Sequence, residues 1–318
     1  MIWRDEQLSL DSLLGKTVCV IGFGSQGRAQ SLNLRDSGIS VVLGLREGSP
    51  RAAEARALGL RVEQIGEAVE GADVIAVLTP ERSHESVVDE WISPYAKAGA
   101  AVVFAHGFSV QYGQVRVRDD LQRLLAAPKA IGPRLRTLYE SGQGAYAMIA
   151  AEPGDIEIAK AYAKALGCGR AGVILSSFRE ETETDLFGEQ AVLCGGMIAL
   201  ARAAYQTLIE AGYSREAAYI ECVEEIKLIA DLVFERGIAG MTNSISDTAQ
   251  FGAMTAQNLI ANAETISGMR RMLQDIRSGG FAKRFAEEQA AGFRKVETFC
   301  AELRESDMEQ ARRSLLNE

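Results

Sequence analysis

Short apolar runs rich in β-branched residues punctuate the first half of the chain. Residues 17–21, 40–43, 74–78, 101–104 and 145–149 read TVCVI, SVVL, VIAVL, AVVF and AYAMI, with helical patterns between them. That alternation of short β-branched runs with helical patterns predicts a parallel, doubly wound α/β sheet. Beyond Ser177 the period changes to that of helices. Residues 184–210 and 214–236 each hold it for more than twenty positions, the second opened by Ser214 as an N-cap with Glu216 in the first turn. The prediction is a Rossmann-type domain over residues 1–180 followed by an all-α domain over residues 181–318. All six prolines fall between Pro50 and Pro153, so the second half contains none of the residues that break helices.

Composition narrows the partners. A net charge of -9 and a sequence pI near 5.1 oppose nucleic acid or an anionic membrane as partner. The N-terminus lacks a secretory signal pattern, and no stretch approaches the roughly 20 consecutive apolar residues of a membrane span, so the expected location is cytoplasmic. The five cysteines form no C-x-x-C pair, which predicts reduced, mostly buried thiols.

Gly22-x-Gly24-x-x-Gly27 follows the first strand and opens a helical stretch at Arg28. Glycine there permits a tight turn, close approach of a pyrophosphate and helix packing, so Gly22, Phe23, Gly24, Ser25, Gln26 and Gly27 are predicted to hold a dinucleotide. After the second strand, Arg46, Ser49 and Arg51 supply two cations and a hydroxyl suited to a 2′-phosphate, which favours NADPH. Glu47 could instead bond a ribose 2′-hydroxyl and leaves NADH open.

Asp185 with Glu189, and Glu221 with Glu225, are carboxylate pairs four residues apart, hence on one helix face each. They run beside apolar positions such as Val192, Leu193, Leu228 and Ile229. Like charges withdrawn from water need counter-cations, and hard oxygen ligands without a His or Cys cluster point to two Mg²⁺ ions acting as Lewis acids.

Gly22-Phe-Gly-Ser-Gln-Gly27, Phe104-Ala-His-Gly-Phe108, Ala127-Pro-Lys129, the run from Glu180 to Gly196, Glu221-Cys and Ser244-Ile-Ser-Asp-Thr-Ala249 together resemble ketol-acid reductoisomerase, also called acetohydroxyacid isomeroreductase, over about residues 15 to 285. The length resembles the family's short form. The resemblance implies a knotted helical domain and a homodimer, with Asp185 and Glu189 binding Mg²⁺ from one chain while Glu221 and Glu225, the latter also catalytic, complete the site from the partner. It further implies that Ser246 holds substrate, that His106 and Lys129 act between metals and nicotinamide, and that Gly132 lies at the cofactor. The implied reaction is an alkyl shift in 2-acetolactate or 2-aceto-2-hydroxybutyrate, then NADPH reduction to a 2,3-dihydroxy acid of branched-chain amino-acid synthesis. The chain departs from the family at Arg28, commonly histidine, and at Ala130-Ile-Gly-Pro-Arg134, commonly Gly-Pro-Gly-His.

Other readings use the same residues differently. A hydroxyacid dehydrogenase would need no clustered metal ligands, a paralogue would act on a related ketol acid, and an idle cofactor-binding protein would have no reason to keep four carboxylates. His84 is expected to be a solvated loop residue, Cys194 to serve packing rather than chemistry, and residues 305–318 to form an acidic helix. Without the resemblance, Ser246 reads as an ordinary helix cap.

Overall fold

The structure, a computed structural model, describes residues 1–316. It divides into two compact units, Met1–Thr182 and Glu183 onward. The first unit is built on nine strands: β1 (Ile2–Trp3), β2 (Thr17–Ile21), β3 (Ser40–Leu45), β4 (Arg61–Gln64), β5 (Val74–Val77), β6 (Ala101–Phe104), β7 (Gln122–Pro128), β8 (Ala147–Ala151) and β9 (Val173–Leu175). Their order across the sheet is β1-β9-β8-β7-β6-β5-β2-β3-β4. The six strands from β4 to β7 are parallel and reverse direction of winding between β2 and β5, the switch point where a doubly wound sheet takes its ligand.

Period 2 explains the apolar runs. Val18, Val20, Val74, Ala76, Ala101 and Val103 face one buried cluster, while Cys19, Ile21, Ile75, Val77, Val102 and Phe104 face another on the opposite side. β2, β5 and β6 therefore each have two dry faces. Burial also pushes the Cys19 and Cys168 thiols up to about 12, so both stay protonated.

The sheet is mixed rather than wholly parallel. β8 runs antiparallel to β7, and β1 antiparallel to β9. The connection after β7 leaves and returns at the same sheet end, closed where the Lys129 N–H donates to the Tyr146 carbonyl at 2.8 Å. Its helix, Gly132–Glu140, is held on the helix Ser25–Asp36 by Arg136, whose guanidinium donates to Asn33 Oδ1 at 2.9 Å and Asp36 Oδ2 at 2.6 Å. That helix is an excursion of a hairpin, not a crossover. The strand expected at 145–149 accordingly starts two residues later. The sequence pattern does not predict β1, β4, β7 or β9, since IW and VIL are very short, RVEQ is polar at the edge and QRLLAAP is interrupted.

Among the described residues of the second unit there are helices and no strands. Ser214 caps its helix as expected, accepting from the Ala217 N–H at 3.3 Å. The two long predicted helices are each interrupted by a widened π turn, Glu189–Leu193 and Ile220–Glu224. In the first, the Cys194 N–H reaches back five residues to the Glu189 carbonyl at 2.8 Å. Cys194 is exposed at this bend. Of the helix expected over residues 305–318, Asp307–Leu316 is helical and balanced in charge, and residues 317–318 lie outside the described residues; its Ala311 packs with Tyr205, Ala218 and Tyr219, while the Tyr205 hydroxyl donates to Asp307 at 2.6 Å.

Much apolar surface in this unit faces outward, including Phe234 (80% exposed), Leu259 (77%) and Phe251 (65%). The 33-residue run Phe178–Glu210 also contains an 18-residue window of mean hydropathy 1.4, only 11% buried, so by length and composition it matches a membrane span. The count of consecutive apolar residues missed it because Gln190, Arg202 and Gln206 interrupt the run. A helix face that packs on another protein surface has the same composition.

Candidate active site

The cofactor cradle begins with a backbone that only glycine tolerates. Gly22 has φ 101°, and a Cβ there would lie 2.8 Å from the Leu78 carbonyl oxygen, while one on Gly27 would lie 2.2 Å from the Gly22 oxygen. The helix Ser25–Asp36 starts at Gly24 with no side-chain cap. A Cβ at Gly24 would meet nothing within 4 Å, so the first-turn N–H groups open onto space of the kind a pyrophosphate fills. Ser25 is exposed and Gln26 half-buried. Gln26 donates to the Ala130 carbonyl at 2.8 Å, and a Cβ on Gly132 would come 2.1 Å from the Ser25 oxygen. Gly132 thus closes against the cradle, in the segment where the sequence departs from the family. Phe23 points into the core at 2% exposure and contributes only its backbone.

Beyond the end of β3, a cavity of about 490 Å³ is lined by Arg46, Ser49 and Arg56, but also by Glu47, Glu63 and Glu67. Arg51 does not line it. Its guanidinium donates to the Phe23 carbonyl at 2.8 Å and ties this loop to the glycine turn. Arg28 pairs with Glu54 at 3.2 Å.

His106 follows β6 and Lys129 follows β7, both at the same strand ends as the cradle. They meet at Glu181, a residue the sequence reading did not single out. Glu181 is completely buried, its Oε1 accepting from Lys129 Nζ and its Oε2 from the Gly107 N–H, each at 2.7 Å. Gly107 has to be glycine, because a Cβ would lie 2.4 Å from Thr182 Oγ1 and 2.6 Å from the Phe178 carbonyl oxygen. His106 Nδ1 lies 4.0 Å from Glu181 and accepts from the Phe108 N–H at 3.0 Å, which leaves the ring proton on Nε2. A signal for Glu181 was present: residues 181, 185 and 189 are all acidic at a spacing of four.

The predicted metal-binding carboxylates fall in the second unit. Asp185 lies one turn beyond Glu181 on the helix Phe178–Gly188 and is half-buried, while Glu189, Glu221 and Glu225 are exposed. The expected cost of withdrawing these pairs from water is therefore not met within one chain, because the apolar stripes beside them are themselves uncovered. Glu221 lies within the π turn Ile220–Glu224 and Glu225 directly after it, and neither joins a cluster of three metal-binding groups among the described residues. Ser246 is exposed and caps the helix Asp247–Ile260, accepting from the Ala249 N–H at 3.3 Å.

His84 overturns its expectation. It is 4% exposed, at the start of the short helix His84–Val87, with Nδ1 2.8 Å from Ser109 Oγ and Nε2 2.9 Å from the Thr79 carbonyl oxygen.

Two family models match adjoining stretches: acetohydroxy acid isomeroreductase, NADPH-binding domain, over residues 12–172, and ketol-acid reductoisomerase, C-terminal domain, over residues 178–318. The chain belongs to the ketol-acid reductoisomerase family. A solved NADH-preferring ketol-acid reductoisomerase from an uncultured archean is 35% identical, with a TM-score of 0.96, covering 100% of this chain and 98% of that one. More distant structures share the fold. A semialdehyde dehydrogenase NAD-binding protein from Cupriavidus necator is 17% identical over 81% of this chain and 100% of its own, with a TM-score of 0.60. A pyrroline-5-carboxylate reductase from Coxiella burnetii is 15% identical over 83% and 98%, with a TM-score of 0.58.

The ketol-acid reductoisomerase match runs through residue 318, so it extends past residue 285, where the sequence motifs stop, and takes in the tail. The glycine cradle, His106 and Lys129 lie within the first matched stretch. Glu181 and all four predicted metal ligands lie within the second.

Proposed function

We propose that this member of the family converts 2-acetolactate or 2-aceto-2-hydroxybutyrate to the 2,3-dihydroxy acid, using two Mg²⁺ ions and a nicotinamide cofactor, in branched-chain amino-acid synthesis. The observation that carries this reading is the buried Glu181 carboxylate, clamped between Lys129 and the Gly107 N–H on the helix that bears Asp185. When bound, the metals would supply Lewis acidity for the alkyl shift and the nicotinamide the hydride.

The donor set fits a hard cation, since Asp185, Glu189, Glu221 and Glu225 offer oxygen ligands alone. Both oxygens of Glu181 are engaged, which suits it to fixing Lys129 rather than to ligation. The Lys129 ammonium, so held, offers a directed cation and proton donor at the end of β7. His106, its tautomer set by Phe108, orients a polar group of the substrate or a water molecule.

The uncovered apolar face of the second unit supports a homodimer in which the partner supplies Glu221 and Glu225. NADPH is the proposed cofactor on the strength of Arg46 and Ser49. NADH is the second reading, favoured by the three carboxylates in the same cavity. The test is turnover of 2-acetolactate with each cofactor, with and without Mg²⁺, and product identification. Cofactor oxidation that ignores both the ketol acid and Mg²⁺ would overturn the reading.

A further inference from the structure

His84 makes two hydrogen bonds that neither the cradle nor the Glu181 clamp requires. A carbonyl oxygen only accepts, so the contact with Thr79 puts the imidazole proton on Nε2, and Nδ1 then accepts from the Ser109 hydroxyl. The two partners belong to different walls of the site. Thr79 ends the segment after β5 that abuts the glycine turn, since a Cβ on Gly22 would lie 3.0 Å from Thr79 Cγ2. Ser109, fully buried, sits three residues after His106 and two after Gly107, whose N–H holds Glu181. Both ring nitrogens are satisfied at 4% exposure, and the partner of Nδ1 lies 25 residues away, so the ring ties its own loop to the neighbouring one. The ring also lies 5.9 Å from that of Phe104, the last residue of β6, which limits its freedom to tilt.

We propose that His84 is a positioning residue: a strut that fixes the His106–Gly107 turn, and through it Glu181 and Lys129, relative to the glycine cradle. Chemistry between cofactor and substrate depends on their register, and displacements of about 1 Å cost about a hundredfold in rate. The proposal rests on the ketol-acid reading for its catalytic consequence, but not for its geometric one.

The experiment uses three variants of the full chain. His84→Leu removes both bonds, His84→Gln keeps one donor and one acceptor, and Ser109→Ala removes the donor to Nδ1. For His84→Leu, kcat for the ketol acid should fall about 10- to 100-fold while KM moves less than about threefold. His84→Gln should recover most of that loss, and the double variant His84→Leu/Ser109→Ala should be no worse than His84→Leu alone. A second readout is independent of turnover. The chain has only two histidines, so ¹⁵N-histidine labelling leaves His106 as the single imidazole in any His84 variant. Its resonances should shift in His84→Leu and in Ser109→Ala, and return in His84→Gln. Unmoved His106 resonances, or equal losses in the Leu and Gln variants at matched thermal stability, would overturn the strut. A shift of His106 in a parent that lacks ketol-acid turnover would uphold the strut and reject the function.

Discussion

Lys129 Nζ donates to Glu181 Oε1 at 2.7 Å across 52 residues of sequence, and the other Glu181 oxygen is held by the Gly107 N–H. A fully buried carboxylate is stable only when such donors satisfy it, so one residue joins the loops after β6 and β7 to the helix Phe178–Gly188. Glu181→Gln keeps the shape and removes the charge. Turnover should fall by about a hundredfold and stability by about 1–3 kcal/mol, while cofactor affinity holds. Steady-state kinetics, urea unfolding and cofactor titration check the three parts separately.

Gly132 and Ser25 approach too closely for any side chain on Gly132. Gly132→Ala should push the helix Gly132–Glu140 off the cradle, costing about 1–3 kcal/mol of stability. Cofactor affinity should weaken with it. Fluorescence titration against NADPH and NADH in the same preparation measures the loss, and an unchanged dissociation constant would separate this helix from the cofactor site.

The proposal that metal sites are shared between two chains predicts complementation. Asp185→Asn and Glu221→Gln should each be inactive alone and should stop Mg²⁺-dependent turnover without loss of cofactor binding. Mixed and re-associated in equal amounts, they should regain about a quarter of the parent activity, because half the dimers are mixed and each restores one of its two sites. Ligands drawn from one chain would give no recovery.

Burial holds the His84 imidazole below its ordinary value of 6.5, and His106 acts in the same direction; the Thr79 carbonyl and Glu81 oppose it. Well above pH 6.5 the ring is neutral whether folded or not and makes no difference to stability. Below it, the unfolded chain binds a proton that the folded chain does not, so stability falls as pH falls, with a slope of at most about 1.4 kcal/mol per pH unit. Urea unfolding of the parent and of His84→Gln between pH 8 and pH 5 should show this part of the slope in the parent only.

The sequence by itself determined what depends on neighbours along the chain. The β-branched apolar run at residues 17–21 marked β2, the glycine spacing marked the turn, and a change of period marked out the helices of the second half. Spacing of four aligned Asp185 with Glu189, and read one step further back it reaches Glu181. Only the tertiary structure decided what depends on chain segments meeting. Nothing local tells β8 to return antiparallel, since Arg136 and Gly132 act on a helix about a hundred residues earlier. Nothing local buries His84, whose surroundings RSHES read as solvated, because Ser109 and Phe104 come from the next strand and its loop. Nor does the chain reveal which oxygens of Glu181 are occupied, for a carboxylate's role is set by the donors that desolvation forces around it.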